Sequence, residues 1–281
     1  MMDRKAPRPL AVVTGASSGI GYHLARCAIE HGYDLVVAAD TPLDEAVLDF
    51  KSLGCDEVTA VQCDLATREG VDKLIDQLHG REVDALIANA GHGVAGPFIE
   101  LDIADIQHVV NTNITGTIYL MQQVARGMVA RRRGRILVTG SVAGFQPGAF
   151  HAVYNASKAF IDSFAEALRN ELKGTGITVS LLMPGATDTE FFERANLGGT
   201  YMGDNMKKAD PADVARIGFD AMLKGESDVV AGFLNKLQVA ASKVMPAQAV
   251  AAVHRKIAEP GSAKQEQKDQ PDQDVPKEFL P

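Results

Sequence analysis

No run of apolar residues in this 281-residue sequence approaches the ~18 that a membrane-spanning helix needs, and mean hydropathy is −0.03. The opening MMDRKAPRPLAVV has basic residues but no sustained apolar stretch followed by a small-residue cleavage site, so no secretory leader is expected. Cysteine is scarce. Cys27, Cys55 and Cys63 are odd in number and lack close metal-ligand spacing, which points to free, buried thiols in a reducing, cytoplasmic compartment. Positive charge is in deficit, with 28 Lys and Arg against 36 Asp and Glu. A net charge of −8 supplies no field to attract nucleic acid. The one basic run, Arg131-Arg132-Arg133 with Arg135, closes a long helical stretch, where cations suit the negative helix end. The seven histidines are scattered without ligand spacing, so no metal is expected.

What is present is a globular composition, 46% hydrophobic and 23% charged, at a length that suits one large domain or two small ones. Short β-branched runs alternate with longer helical patterns. Leu10–Thr14, Asp34–Ala39, Val58–Cys63, Val83–Ala88, Arg135–Thr139 and Ile177–Met183 read as six strands, several of them continuously apolar, as strands buried on both faces are. Helical spacing fills 20–31, 43–53, 68–79, 103–132 and 152–173. Such alternation implies parallel pairing with right-handed crossovers: a doubly wound, Rossmann-like α/β fold, with ligands beyond the carboxyl ends of the strands.

Three stretches stand outside this alternation. Residues 188–210 mix aromatics, glycines and charges without a clean period, as an excursion over a site would. Residues 233–257 suggest two short amphipathic helices broken at Pro246, carrying Lys236, Lys243, Arg255 and Lys256, and suited to a subunit contact or to covering a substrate site. The polar, proline-containing stretch 259–281 is expected to be a disordered tail. The expected organisation is an extension over 1–9, one domain over 10–258, and that tail.

Thr14-Gly15-Ala16-Ser17-Ser18-Gly19-Ile20-Gly21 lies between the first strand and the first helix. Glycines there permit close backbone approach to a pyrophosphate, and the helix offers unpaired N–H groups and its positive end. Asp40 ends the second strand, 19 residues after Gly21, where a carboxylate accepts from adenosine ribose hydroxyls. With no Arg or Lys beside it or in the glycine turn, NAD is favoured over NADP. A solvated turn aspartate, helped by Thr41-Pro42, is the other reading of Asp40. Asp64 likewise reads as a helix cap or an adenine contact.

Tyr154 and Lys158 stand four residues apart on one helix face, where the cation would lower the phenol pKa toward general acid–base use. Exposed helices carry such pairs without function. Ser141 follows the fifth strand, where a hydroxyl either faces a ligand or simply ends the strand. Asn89-Ala90-Gly91 ends the fourth strand in the same layer, and Asn113 sits inside a helical stretch that disfavours it. Phe98, Phe145, Phe150, Val153, Met183, Phe191 and Phe192 lie near strand ends or in the excursion, as apolar pocket walls or as ordinary core.

TGASSGIG at 14–21, NAG at 89–91, Asn113-Ile114-Thr115-Gly116, Ser141, Tyr154-x-x-x-Lys158 and Pro184-Gly185 occur together in the order seen in the short-chain dehydrogenase/reductases. The sequence resembles that family over about 10–258, including the Ser141-to-Tyr154 interval of 13. The resemblance implies a catalytic set of Asn113, Ser141, Tyr154 and Lys158. In it Ser141 holds the substrate oxygen, Tyr154 moves the proton, Lys158 tunes Tyr154 and binds the nicotinamide ribose, and Asn113 holds a water that links Lys158 to solvent. It also implies cofactor contacts at Gly15, Ser17, Ser18, Gly19, Ile20, Gly21, Asp40, Asp64, Leu65, Asn89, Ala90, Gly91, Pro184, Gly185, Thr187 and Thr189, shared with Tyr154 and Lys158. Gly140 and Thr187 depart from residues frequent in the family, and neither departure touches a group that does chemistry. The activity implied is hydride transfer between NAD(H) and a small-molecule secondary alcohol or ketone, in a homodimer or homotetramer. A catalytically silent NAD(P)-binding regulator of the same fold is the alternative.

Overall fold

The computed structural model describes residues 8–263 except 56, 243 and 244. Seven parallel strands form one sheet in the order β3-β2-β1-β4-β5-β6-β7. They are β1 (Leu10–Thr14), β2 (Asp34–Ala39), β3 (Val58–Gln62), β4 (Val83–Ala88), β5 (Gly134–Thr139), β6 (Ile177–Met183) and β7 (Asp228–Val230). The expected doubly wound α/β fold is therefore present, with one strand more than the six read from the sequence. β7 has only three residues, too few for a period to register.

Alternate residues of each central strand feed opposite layers, which is why these strands are continuously apolar. Leu10 and Val12 of β1 point to one face, joined there by helices α3 (Arg68–Asp76), α5 (Thr117–Arg131) and α6 (Ala152–Glu171) through Val71, Leu74, Met121, Met128 and Ile161. Ala11 and Val13 point to the other, covered by α1 (Gly19–Glu30), α2 (Asp44–Ser52) and α9 (Pro211–Lys224) through Leu24, Phe50, Phe219 and Met222. Helix α9 carries its own boundary signals. Asp210 accepts from the Ala212 N–H at 2.7 Å, Pro211 opens the first turn, and Gly225 closes the helix in a left-handed conformation.

The stretch expected as one helix over 103–132 is interrupted. Helix α4 (Ile103–Val110) leads into a π-helical segment, Asn111–Gly116, before α5 begins. The excursion after β6 holds two single-turn helices, α7 (Phe191–Arg194) and α8 (Tyr201–Asp204). Helices α10 (Phe233–Ser242) and α11 (Ala247–Ala258) match the pair expected around Pro246. Residues 259–263 correct the expected tail boundary: Ser262 is buried and its hydroxyl accepts from the Tyr201 N–H at 2.8 Å. The rest of the proposed tail, and the extension over 1–7, lie outside the described residues.

The arginine run is absorbed by the frame. Arg131 donates to the Val83 carbonyl, Arg132 to the Gly174 carbonyl at 3.0 Å, and Arg133 to Asp84 at 2.7 Å. All three thiols are free and buried, and burial pushes Cys27 and Cys63 up to about 11. Among the described residues no helix is long and apolar enough to cross a membrane.

Candidate active site

Strands β1 and β4 are neighbours, but β1 leads to β2 on one side and β4 leads to β5 on the other, so their carboxyl ends open onto a crevice. A cavity of about 660 Å³ occupies it. All of the expected site residues line this cavity except Gly21 and Asn113.

Gly21 is a correction. It lies inside α1, where an added Cβ would sit 2.0 Å from the Gly15 carbonyl oxygen, so its part is to let the helix pack against the turn. Gly15 and Gly19 both take positive φ, +66° and +58°, the left-handed bend that a turn this tight needs. The turn is braced from behind by Asn89. Its Nδ2 donates to the Thr14 and Gly15 carbonyls at 3.1 and 3.4 Å, and its Oδ1 accepts from Thr139 at 3.1 Å. Asn89 thus ties the ends of β1, β4 and β5 together while it lines the cleft.

Asp40 does not stand alone. His92 Nε2 lies 2.9 Å from its carboxylate, and this hydrogen bond outweighs burial to hold the Asp40 pKa down at about 2. The His108 ring meets the His92 ring edge-on at 4.4 Å between centroids. Asp40, His92 and His108 therefore bring their ligand-capable atoms within 4.8 Å of one another, which corrects the reading of scattered histidines. Sequence spacing could not reveal a cluster drawn from three different elements. Asp64 is not the cap of α3. That part belongs to Thr67, whose hydroxyl accepts from the Gly70 N–H at 3.0 Å, while Asp64 accepts from the Ala66 N–H at 2.8 Å just upstream.

Asn113 stands behind the cavity, almost fully buried. Its Oδ1 accepts from the His92 N–H at 2.8 Å, and its Nδ2 donates to the His92 carbonyl and to Ser157 Oγ, each at 2.9 Å. The π-helical segment turns this side chain inward. Asn113 therefore clamps the loop that carries His92 to the helix that carries Lys158.

On the catalytic side, α6 presents Tyr154 and Lys158 to the cavity, and Ser141 faces it two residues past the end of β5. Lys158 Nζ donates to the Thr139 carbonyl at 2.9 Å and lies 5.8 Å from the Tyr154 ring centre. The Tyr154 pKa shift is upward, against the downward one expected from Lys158. Tyr154 lines the cavity half-buried, and desolvation there pushes the phenol up to about 12 against an opposing hydrogen bond with Ser141. Burial likewise pushes the Lys158 ammonium down, with the Asp162 charge opposing it. Asp162 joins the site with no sequence motif to mark it. Its carboxyl, raised by burial, accepts from the Ser141 N–H at 3.3 Å and fills space left by two glycines. A Cβ on Gly140 would meet Oδ1 at 1.9 Å, and one on Gly144 would meet Oδ2 at 2.3 Å. Gly140 is thus the departure that makes room for Asp162.

Beyond Tyr154 the cavity is aromatic. His151 stacks on the phenol ring at 4.6 Å and Phe191 packs at 4.9 Å. His151 is buried, which drops its pKa to about 3 and keeps it neutral. Of the seven residues considered for a pocket wall, Phe191 and Phe192 line the cavity, with Met202, Met206 and Ile257 beside them. Met183 belongs to the core and Phe98 is exposed. One cation reaches the glycine turn. Arg194, on α7, donates to Ser18 Oγ at 3.3 Å, from outside both the turn and the neighbourhood of Asp40 in sequence.

A doubly wound sheet whose carboxyl edge joins a glycine turn to a Ser–Tyr–Lys cluster defines a class of dehydrogenase folds. A family model described as short chain dehydrogenase matches residues 9–198. Retinol dehydrogenase 8 of Bos taurus is 36% identical over 193 residues, covering 66% of this chain and 61% of that protein, so the match spans less than two thirds of the relative's length. The solved short-chain dehydrogenase of Sphingobium yanoikuyae in complex with NADPH aligns with TM-score 0.74 and 25% identity, covering 97% of this chain and 100% of that one. A short-chain dehydrogenase/reductase of Burkholderia phymatum in complex with NAD aligns with TM-score 0.75 and 25% identity over 83% and 92%. The chain belongs to the short-chain dehydrogenase family, a family of oxidoreductases.

Proposed function

We propose that this protein transfers hydride between NAD(H) and a secondary alcohol or ketone, with Tyr154 as general acid and base. The observation that carries this reading is that Ser141, Tyr154 and Lys158 line the same cavity as the glycine turn and Asp40. The cleft suits a dinucleotide on its own terms. The turn bends tightly enough for close backbone approach, α1 has no acidic residue in its first turn, and Asp40 stays ionised where a ribose diol would lie. That same charge disfavours a 2′-phosphate, which supports NAD over NADP, although relatives of known structure carry either form.

When bound, the nicotinamide supplies the hydride acceptor or donor. The protein's own groups supply the proton and the positioning. Ser141 Oγ holds the substrate oxygen beside the phenol. Tyr154, kept protonated by burial, is in the form that donates to a carbonyl oxygen during reduction. Lys158 replenishes that proton from the cavity wall, its ammonium oriented by the Thr139 carbonyl. Asn113 acts through position, fixing the spacing of the His92 loop and α6. The apolar wall of Phe191, Phe192, Met202, Met206 and Ile257 suits a largely apolar substrate.

The test follows NADH absorbance over a panel of secondary alcohols and ketones with wild type and Tyr154→Phe. Turnover on at least one pair by wild type and its loss in the variant is expected. Cofactor binding without turnover across the panel would favour the silent regulator instead.

A further inference from the structure

We propose that Arg194, carried on the excursion over the cleft, is a ligand for the cofactor's pyrophosphate, and that its ion pair with Glu190 gives way to that anion. The inference rests on the dinucleotide reading of the cleft and adds a residue outside the glycine turn to it.

Ser18 precedes α1 in an extended conformation, and its hydroxyl caps none of the helix N–H groups. The first turn of this 12-residue helix holds no acidic residue, so its positive end finds no counter-charge in its own sequence. The charge that meets it comes from far along the chain. Ser18 Oγ donates to Glu190 Oε2 at 3.4 Å and accepts from Arg194 at 3.3 Å, and Arg194 pairs with Glu190 at 3.6 Å. The hydroxyl and the guanidinium beside the helix end thus share one carboxylate, which comes from the excursion and stands outside the cavity lining. Both partners are open to solvent, 41% for the Arg194 side chain and 63% for Glu190, so the ion pair between them is weak. A pyrophosphate carries more charge than one carboxylate and reaches the backbone N–H groups of the turn at the same time. The planar guanidinium also matches phosphate oxygens two at a time. Arg194, Ser18 and the glycine turn line one cavity, so no further movement of the sheet is needed to bring them to one ligand.

Calorimetric titration of the full chain with ADP-ribose, adenosine and adenosine 2′,5′-bisphosphate tests this apart from turnover. Arg194→Ala is expected to weaken ADP-ribose binding about tenfold and to leave adenosine binding unchanged. Arg194→Lys should recover part of the loss, and Glu190→Gln should tighten ADP-ribose binding by removing the competing anion. Equal ADP-ribose affinity in Arg194→Ala and wild type overturns the proposal. So does an equal loss for adenosine, a loss confined to the 2′,5′-bisphosphate, or a Glu190→Gln variant as weak as Arg194→Ala, which would make the pair a fastener for α7. If wild type binds none of the three ligands, the dinucleotide reading fails and the proposal goes with it.

Discussion

His92 Nε2 lies 2.9 Å from the Asp40 carboxylate, so a side chain from the end of β4 crosses the end of β1 to reach the end of β2. The two residues span the half of the cleft in which an adenosine ribose is expected. His92 therefore sets how much of the Asp40 charge a ligand meets. Replacing His92 by Ala exposes that charge fully, and the ratio of NADP to NAD affinity should fall. Asp40→Ala should raise the same ratio. Fluorescence titration with the two reduced cofactors measures both, and a His92→Ala variant that gains NADP affinity would contradict this account.

The same contact has a signature in acid. Asp40 titrates at about 2 in the folded protein against an ordinary 3.8, chiefly through the His92 hydrogen bond. A depressed carboxyl pKa adds stability that is complete above the ordinary value and is lost as pH falls through the folded value. The Asp40 contribution should thus be intact at neutral pH and disappear between about 4 and 2. Carbon-13 titration of the Asp40 carboxyl reads this directly, and its midpoint should move up toward the ordinary value in His92→Ala.

Tyr154→Phe removes only the ionisable oxygen and leaves the ring between His151 and Phe191. Turnover should drop by at least ~100-fold, the lower range for a lost general acid–base group, with cofactor affinity little changed. Because burial raises the phenol from 10.0 to about 12, the folded state favours its proton, and that stability is present below the ordinary value and lost as pH rises toward the folded one. Tyrosinate absorbance should show Tyr154 among the last phenols to ionise on alkaline titration, with that late step missing from the variant.

Asp162 raises the Lys158 pKa against the effect of burial. Asp162→Asn keeps the shape and removes the charge, so Lys158 should lose its proton at lower pH. The alkaline limb of the kcat/KM profile should move down in pH. An unmoved limb together with a uniform loss of rate would mean that Asp162 only supports the Ser141 backbone.

Gly140→Ala would place a methyl on the Asp162 carboxyl. The clash should cost about 1–3 kcal/mol, as overpacking in a dense interior does, and should displace Ser141 as well. Urea denaturation would report the first effect and kcat the second.

The sheet was legible because both faces of its strands are buried, which writes continuous apolar runs such as LAVVT and DLVVAA. The glycine turn, Ser141, Tyr154 and Lys158 were legible because their chemistry depends on order along the chain. Contacts made by folding were not. His92 reaches Asp40 from 52 positions away, and Arg194 reaches Ser18 across 176. The direction of the phenol shift is not legible, because sequence gives the neighbouring charge but not the desolvation of Tyr154 in the cavity. The break in the helix at Asn111–Gly116 carries only a weak signal, because poor helix formers such as Asn113 and Gly116 also occur inside continuous helices.

That π-helical turn makes the segment intolerant of a change in length. A π turn holds one residue more than the α-helix it interrupts. Deleting a single residue between Val110 and Thr117 would restore a continuous α-helix with α4 and α5 still in phase, and would change which side chains of the segment face inward. Asn113 would swing away from His92 and Ser157, and the loop that reaches Asp40 would lose its clamp. A one-residue gap at this point in an alignment of relatives should therefore separate chains able to hold the bridge across β1 from chains that lack it, whatever residues they carry at the catalytic positions.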